Sequence, residues 1–362
     1  MINDKLLKSD ERALLTLRSL YKAYGYLPFK MSKFEEYDLY VRNKDFLVSD
    51  SIITFTDTAG KLLALKPDVT LSIIKNGTDE KGCKQKVYYN ENVYRPSGET
   101  RQYKEIMQAG LECIGDVGVY DLFEVLLLAA KSLASISDDY VLEISHMGIL
   151  SGLLGEIGAG EAFDAEIAKC VKEKNAHEIA TIGEKYGVPA EKTQILRDFI
   201  GIYGEPASVI DRLAPLCENA ASAAALDTLR KICELFEGRE EAKNIRFDFS
   251  LVNDMNYYSG IVFGGFIDGI PESVLSGGQY GRLMEKMGRR ADAVGFAIYL
   301  DLLETLEKSG GSYDVDVLLI ASDKASPRAI TEMTEALIKE GKSVSVQRGR
   351  PEKLRYRELI TL

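Results

Sequence analysis

Between Met147 and about Arg239 the chain changes period. Apolar residues recur there at helical spacing, Ala, Glu and Lys are plentiful, and β-branched blocks are few. On both sides lie short β-prone runs punctuated by Gly, Pro, Asp and Ser. A helix-period pattern does not settle as strand, nor the reverse. The chain therefore reads as α+β, with a helical insert at 147–239 separating two sheet-forming stretches. Gly155, Gly158 and Gly160 fall inside this insert. Their spacing is not a dinucleotide fingerprint and no strand precedes them, so they read as inter-helix turns.

In the first sheet-forming stretch, Ser9-Asp10-Glu11 reads as a helix start, a hydroxyl cap followed by acids. Leu14, Leu17, Leu20, Tyr21 and Tyr24 carry that helix to a stop at Gly25. Tyr26 to Tyr40 reads as a short strand and a Glu35-Glu36 turn. Ile52–Phe55 and Leu62–Leu65 flank Asp57-Thr58-Ala59-Gly60 and predict a hairpin. After Lys66-Pro67, Asp68 and Thr70 flank the start of a helix from Leu71 to Lys75. Capping is the ordinary role for both. The functional alternative is an acid and a hydroxyl held at a strand-to-helix corner, able to bind an ammonium group.

Lys86–Tyr94 and Glu105–Gly115 read as a long hairpin joined by a polar loop from Pro96 to Lys104. Period two puts Gln108, Gly110 and Glu112 on one face, with the Cα atoms of Gln108 and Glu112 about 13 Å apart. Either this is a solvent-facing sheet edge, or the two side chains bracket the polar ends of one ligand above a glycine that leaves room for it. Val119–Leu133 is a long apolar helix and Tyr140–Ile144 a further strand.

Strands return at Asn244–Val252 and Gly260–Phe266. Between them stands Asn253-Asp254-Met255-Asn256-Tyr257-Tyr258-Ser259. Tandem tyrosines offer two rings and two hydroxyls for a small polar ligand, or else simply sit on opposite faces of a strand. In Ser276-Gly277-Gly278-Gln279-Tyr280, paired glycines let a backbone approach a ligand closely, with Tyr280 adjacent. Ala293–Ala297 leads into a helix, Ile298–Leu306. Beyond Gly310-Gly311, a strand (Val315–Ile320), a helix (Pro327–Glu340) and a strand (Ser343–Val346) form a short βαβ unit.

Composition excludes several classes. The formal net charge of −11 disfavours non-specific nucleic-acid or anionic-membrane binding, although Lys, Arg and Glu crowd together from Arg348 to Arg357. The five cysteines are scattered without a C-x-x-C pair, so reduced thiols and a cytoplasmic location are expected. Met1–Lys8 lacks the apolar core of a signal peptide, and no stretch of about 18 apolar residues predicts a membrane span. With two histidines, His146 and His177, a His-based metal site or triad has almost no material. No Walker motif occurs, and neither a cofactor nor a metal is expected.

Five stretches fall in the order seen in histidyl-tRNA synthetases: Leu65–Thr70, Gln108–Glu112, Asn256–Gly260, Ser276–Tyr280 and Ala293–Ala297. The resemblance covers roughly residues 5 to 308. It implies a class II aminoacyl-tRNA synthetase-like core, an antiparallel sheet flanked by helices, formed by 1–146 and 240–308, and a homodimer. The insert 147–239 and a C-terminal α/β unit, 312–362, complete the expected organisation. The matching pocket positions are Asp68, Thr70, Gln108, Glu112, Tyr257, Tyr258 and Tyr280, which in the family hold the ammonium and imidazole of histidine; Arg95 matches the family's first hairpin arginine and is expected to join them in the histidine-binding site.

The departures concern charge. Asn253 stands where the family carries an arginine, Leu302 replaces the ATP-binding arginine, and the hairpin loop lacks the family's Glu-Arg-Pro. A proline typical of the dimer motif is replaced near Ser32. Each lost charge-neutralising group is worth about 3–4 kcal/mol in a transition state. The C-terminal unit resembles a cut-down anticodon-binding domain, too short for that role. This pattern is similar to the regulatory subunit of ATP phosphoribosyltransferase. That similarity implies a non-catalytic partner of the short catalytic subunit, a hetero-octamer, feedback by histidine in the first step of histidine biosynthesis, and little tRNA binding. The alternative is a divergent histidyl-tRNA synthetase-like enzyme.

Overall fold

A computed structural model of the chain describes residues 7–47, 51–77, 82–97, 102–251, 258–303, 305 and 313–362. It divides into two compact units, Met1–Thr305 and Leu306–Leu362.

The first unit opens with α1 (Ser9–Ala23), which buries Ala13, Leu17 and Tyr21 at intervals of four. Ser9 is the first helical residue and not the cap. The entry is instead closed by the Glu11 carboxylate, which accepts from the Lys8 N–H at 3.0 Å. Gly25 ends the turn with φ 82°. There follow β1 (Leu27–Pro28), β2 (Phe34–Glu36) and α2 (Tyr37–Arg42). The expected turn at Glu35-Glu36 is therefore a strand end running into a helix. Pairing of Glu35 with Ala64 holds it extended and outweighs local preference. The predicted hairpin forms as β3 (Thr54–Thr56) and β4 (Leu62–Leu65), with Asp57 Oδ1 accepting from the Ala59 and Lys61 N–H groups. With β2 it makes a three-stranded sheet, order β2-β4-β3.

The main sheet is built on α3 (Thr70–Asn76) and the long hairpin β5 (Gln85–Pro96) and β6 (Tyr103–Gly115), in register from Gln85↔Ile114 to Pro96↔Tyr103. Beneath it runs α4 (Val119–Ala134), buried nearly all round. Tyr21 from α1 donates or accepts at Ser132 of α4 (3.0 Å) and sets its ring edge-on to Phe296. After β7 (Tyr140–His146) come α5 (Met147–Ile157), α6 (Glu161–Lys172), α7 (Glu178–Tyr186) and α8 (Ala190–Ile200). They are followed by β8 (Tyr203–Gly204), α9 (Pro206–Leu213) and α10 (Ala220–Phe236). Gly158 (φ 68°) and Gly160 (φ 99°) do lie in a turn between helices, but Gly155 sits within α5.

The remaining strands are β9 (Ile245–Asp248), β10 (Ile261–Ile267), β11 (Leu275–Gln279) and β12 (Asp292–Tyr299), with α11 (Gly281–Lys286) between the last two. The expected strand Asn244–Val252 is shorter than read, because Asp248 Oδ1 accepts from both the Ser250 N–H and hydroxyl and turns the chain. The expected helix Ile298–Leu306 is also corrected. Ile298 and Tyr299 pair with Ala109 and Gln108 and stay in β12, and a 3₁₀ turn follows at Leu300–Leu303; Leu306 lies outside the described residues. The nine strands run β1-β5-β6-β12-β11-β10-β7-β9-β8. The centre is antiparallel as expected, while β1 joins β5, and β9 joins β7, in parallel.

The second unit has β13 (Val315–Ile320), α12 (Pro327–Lys339), β14 (Val344–Gln347) and β15 (Tyr356–Thr361) in a parallel sheet, order β14-β13-β15. The third strand was hidden by the charged run before it. Among the described residues no helix is long and apolar enough to cross a membrane.

Gly110 has a packing role. It pairs with Tyr89, and a Cβ there would meet the Tyr89 hydroxyl at 2.5 Å and the Phe296 carbonyl oxygen more closely still. The room beside Gly110 is thus filled by a protein side chain and not left for a ligand. Gly110→Ala is expected to destabilise the protein by about 1–3 kcal/mol, the usual cost of overpacking. Urea unfolding of the variant against the parent checks this.

Candidate functional site

A cavity of about 470 Å³ opens over the centre of the nine-stranded sheet. Its floor comes from β6, β11 and β12, one wall from the corner before α3, and another from β5. Of the eight residues expected to form a site, seven line it: Asp68, Thr70, Arg95, Gln108, Glu112, Tyr258 and Tyr280. Tyr257 lies outside the described residues, as does the stretch Asn253–Asn256.

Glu112 is the centre of the arrangement, only 2 % exposed. Thr70 Oγ1 donates to its Oε1 at 3.0 Å, and the Tyr280 hydroxyl to its Oε2 at 2.6 Å. Its cross-strand partner on β12 is Gly295. Paired residues share a face of the sheet, and a Cβ on Gly295 would collide with Glu112 Oε2. The carboxyl is thus seated where only a glycine leaves space. Burial pushes its pKa from 4.5 up to about 8; the charge of Asp68 adds to this, and the two hydroxyl donors partly oppose it.

Asp68 caps α3 and also stands on the cavity wall: its Oδ1 accepts from the Leu71 N–H at 2.9 Å. Burial raises its pKa, and the nearby Arg95 charge opposes that. Arg95 donates from Nε to the Pro67 carbonyl at 2.5 Å and lies 3.7 Å from Asp68 Oδ2. Gln108 is buried on the same strand face as Glu112, so the sheet-edge reading of this pair is set aside. Tyr258 is raised by burial, and its ring lies against Gly278, where a Cβ would meet it at 2.5 Å. The paired glycines 277 and 278 therefore make room for protein rings as well as for the cavity, since Gly277 also packs on Phe263 and Phe296.

Sequence reading missed Tyr89, Tyr299 and Lys172, all of which line the cavity. Tyr89 had a signal, its pairing opposite Gly110 in the predicted hairpin. Lys172 had none, because it is the last residue of α6 and arrives from the helical insert. Among the described residues the charged lining consists of two acids, Asp68 and Glu112, and two cations, Arg95 and Lys172. Among the described residues no group of three His, Cys, Asp or Glu is arranged to hold a metal ion. The site can hold a small molecule that carries a cationic group at one end and polar groups along its length.

A largely antiparallel sheet flanked by helices, with this cavity on its central strands, defines a class II aminoacyl-tRNA synthetase-like protein. The histidyl-tRNA synthetase model matches residues 4–303, and the chain belongs to that family. A relative from Oceanobacillus iheyensis, named ATP phosphoribosyltransferase regulatory subunit, is 29 % identical over 297 residues, covering 81 % of this chain and 73 % of its own. One of the same name from Ruminiclostridium cellulolyticum is 27 % identical over 335 residues, 90 % of this chain and 79 % of its own. Among solved structures, an ATP phosphoribosyltransferase regulatory subunit/histidyl-tRNA synthetase from Bacillus halodurans superposes with a TM-score of 0.75 at 22 % identity, covering 98 % of this chain and 93 % of that one. A chain of the ATP phosphoribosyltransferase (HisG:HisZ) complex from Thermotoga maritima gives 0.63 at 20 %, covering 80 % and 97 %. Both likenesses concern the fold.

The raised pKa of Glu112 has a consequence for stability. Between 4.5 and about 8 the folded protein holds a proton that the unfolded chain has released. That contribution is complete at acid pH and is lost as pH rises through about 8. The difference in unfolding free energy between the parent and Glu112→Gln is expected to move against the parent across this window. Urea titrations of both proteins at a series of pH values measure it.

Proposed function

We propose that this chain is the regulatory subunit of ATP phosphoribosyltransferase, required by a short catalytic subunit and responsible for feedback by histidine. The observation that carries this reading is an imbalance. The cavity keeps buried acids and hydroxyls suited to an ammonium and an imidazole, while among the described residues its cations are Arg95 and the exposed Lys172. Arg95 is engaged by Pro67 and Asp68, and Leu302, half-buried in the turn after β12, offers no charge where the family carries an arginine. Adenylate formation needs preorganised positive charge on the phosphates. Loss of synthetase activity follows from that shortage. The names of the relatives point the same way.

The mechanism is allosteric. The regulatory chain orders its catalytic partner, and histidine favours the inactive arrangement. Near-complete switching requires about 5.5 kcal/mol of preference for one state. We further propose that two copies of this chain associate through the sheet β2-β4-β3 before assembling with the catalytic subunits as a hetero-octamer. Phe34 and Phe55 are 45 % and 38 % exposed there and meet edge-on at 5.4 Å. Their pairing partners, Leu65 and Leu63, share that face. A contiguous apolar face of this kind is uncommon on a monomer.

Added to a short-form catalytic subunit, this chain is expected to raise its turnover, and histidine to reverse the gain. Equal rates with and without the chain would refute the proposal. Pyrophosphate exchange with histidine and ATP is expected to be silent. Phe55→Asp is expected to halve the mass of the free protein in light scattering; an unchanged mass would place the dimer contact elsewhere.

A further inference from the structure

The cavity anchors one end of an amino acid well and leaves the other unaccounted for. Its acids and hydroxyls (Asp68, Glu112, Thr70) suit an ammonium group. A zwitterion also brings a carboxylate, and burying that without a cationic partner is costly. Of the two cations that the described residues place on the cavity wall, Arg95 is already held by a carbonyl and by Asp68. Lys172 is the other. It is exposed at the C-terminal end of α6, at the cavity's rim, and among the described residues it has neither an ion-pair nor a hydrogen-bond partner. Its neighbours on the helix are differently placed. Lys169, nearly one turn earlier, lies 4.0 Å from Glu173, and Lys174 is bound to Asp248 at 2.5 Å.

We infer that Lys172 binds the ligand's carboxylate and so makes the cavity selective for an intact amino acid over its decarboxylated amine. The inference rests on the proposed histidine pocket and deepens it. It has a structural corollary. Asp68, Glu112 and Thr70 stand on the core strands and at the corner before α3, whereas Lys172 stands on the insert. A ligand gripped at both ends therefore ties α6 to the core, and one gripped only at the ammonium does not. Occupancy by histidine is in that way transmitted to the insert through a single ionic contact. A lysine is suited to the task because its ammonium is a point charge on a long flexible stem.

The test uses the full chain with histidine and with histamine, which lacks only the carboxylate, in calorimetric titrations. Lys172→Met is expected to weaken histidine about tenfold to a hundredfold, the range for a hydrogen bond to a charged group, and to leave histamine unchanged. Lys172→Arg should retain most of the preference for histidine, and Lys169→Met all of it. Amide exchange in α6 should slow with histidine but not with histamine. If Lys172→Met binds histidine as the parent does, or loses both ligands equally, the inference is overturned while the pocket stands. If the parent binds neither ligand, the pocket reading fails first and the role of Lys172 with it.

Discussion

Glu112 and the glycine opposite it hold the centre of this molecule together. A carboxyl group is rarely buried without compensation. Here Thr70 at the start of α3 and Tyr280 at the end of β11 both donate to it, while Gly295 on β12 yields the space it occupies. Four separate elements therefore meet on one side chain. Any shift of β6 against β12, or of α3 against the sheet, would leave a buried acid unpaired or clashing. The cavity beside Glu112 is bordered by a carboxyl whose partners the protein itself supplies.

The same logic of bare backbone recurs around the cavity. Gly110 admits Tyr89, Gly278 admits Tyr258, and Gly277 packs against Phe263 and Phe296. Of these, only Gly277 also borders the cavity itself. They let aromatic rings sink into the sheet, and the rings then make the walls. The result is a floor with acids on it, and a rim to which α6 of the insert contributes Lys172. Floor and rim on separate elements suit a protein whose proposed task is to register a small molecule and pass that information to a partner, without chemistry of its own.

Much of the arrangement was legible beforehand. The hairpin β5–β6, the capping acid Asp68 and the face shared by Gln108 and Glu112 all follow from period two or from helix-start preferences, which act over a few residues. Two of the misreadings share a cause. Glu35-Glu36 reads locally as a turn and Ile298-Tyr299 as a helix, yet each is held extended by strands distant in sequence. Tyr356–Thr361 is a strand because Val315–Ile320 lies beside it, not because its own residues demand it.

The residue order alone determined that helices would interrupt a sheet, that Asp68 and Thr70 would stand at a helix start, and that Gln108 and Glu112 would share one face of a strand. These are consequences of spacing and composition. Only the folded chain decided that Gly295 would lie under Glu112, that Tyr89 would fill the gap at Gly110, and that Lys172 would reach the cavity from 60 positions beyond Glu112. Such contacts depend on how separate elements pack, and the energy that selects them is the removal of whole faces from water, which no local pattern records.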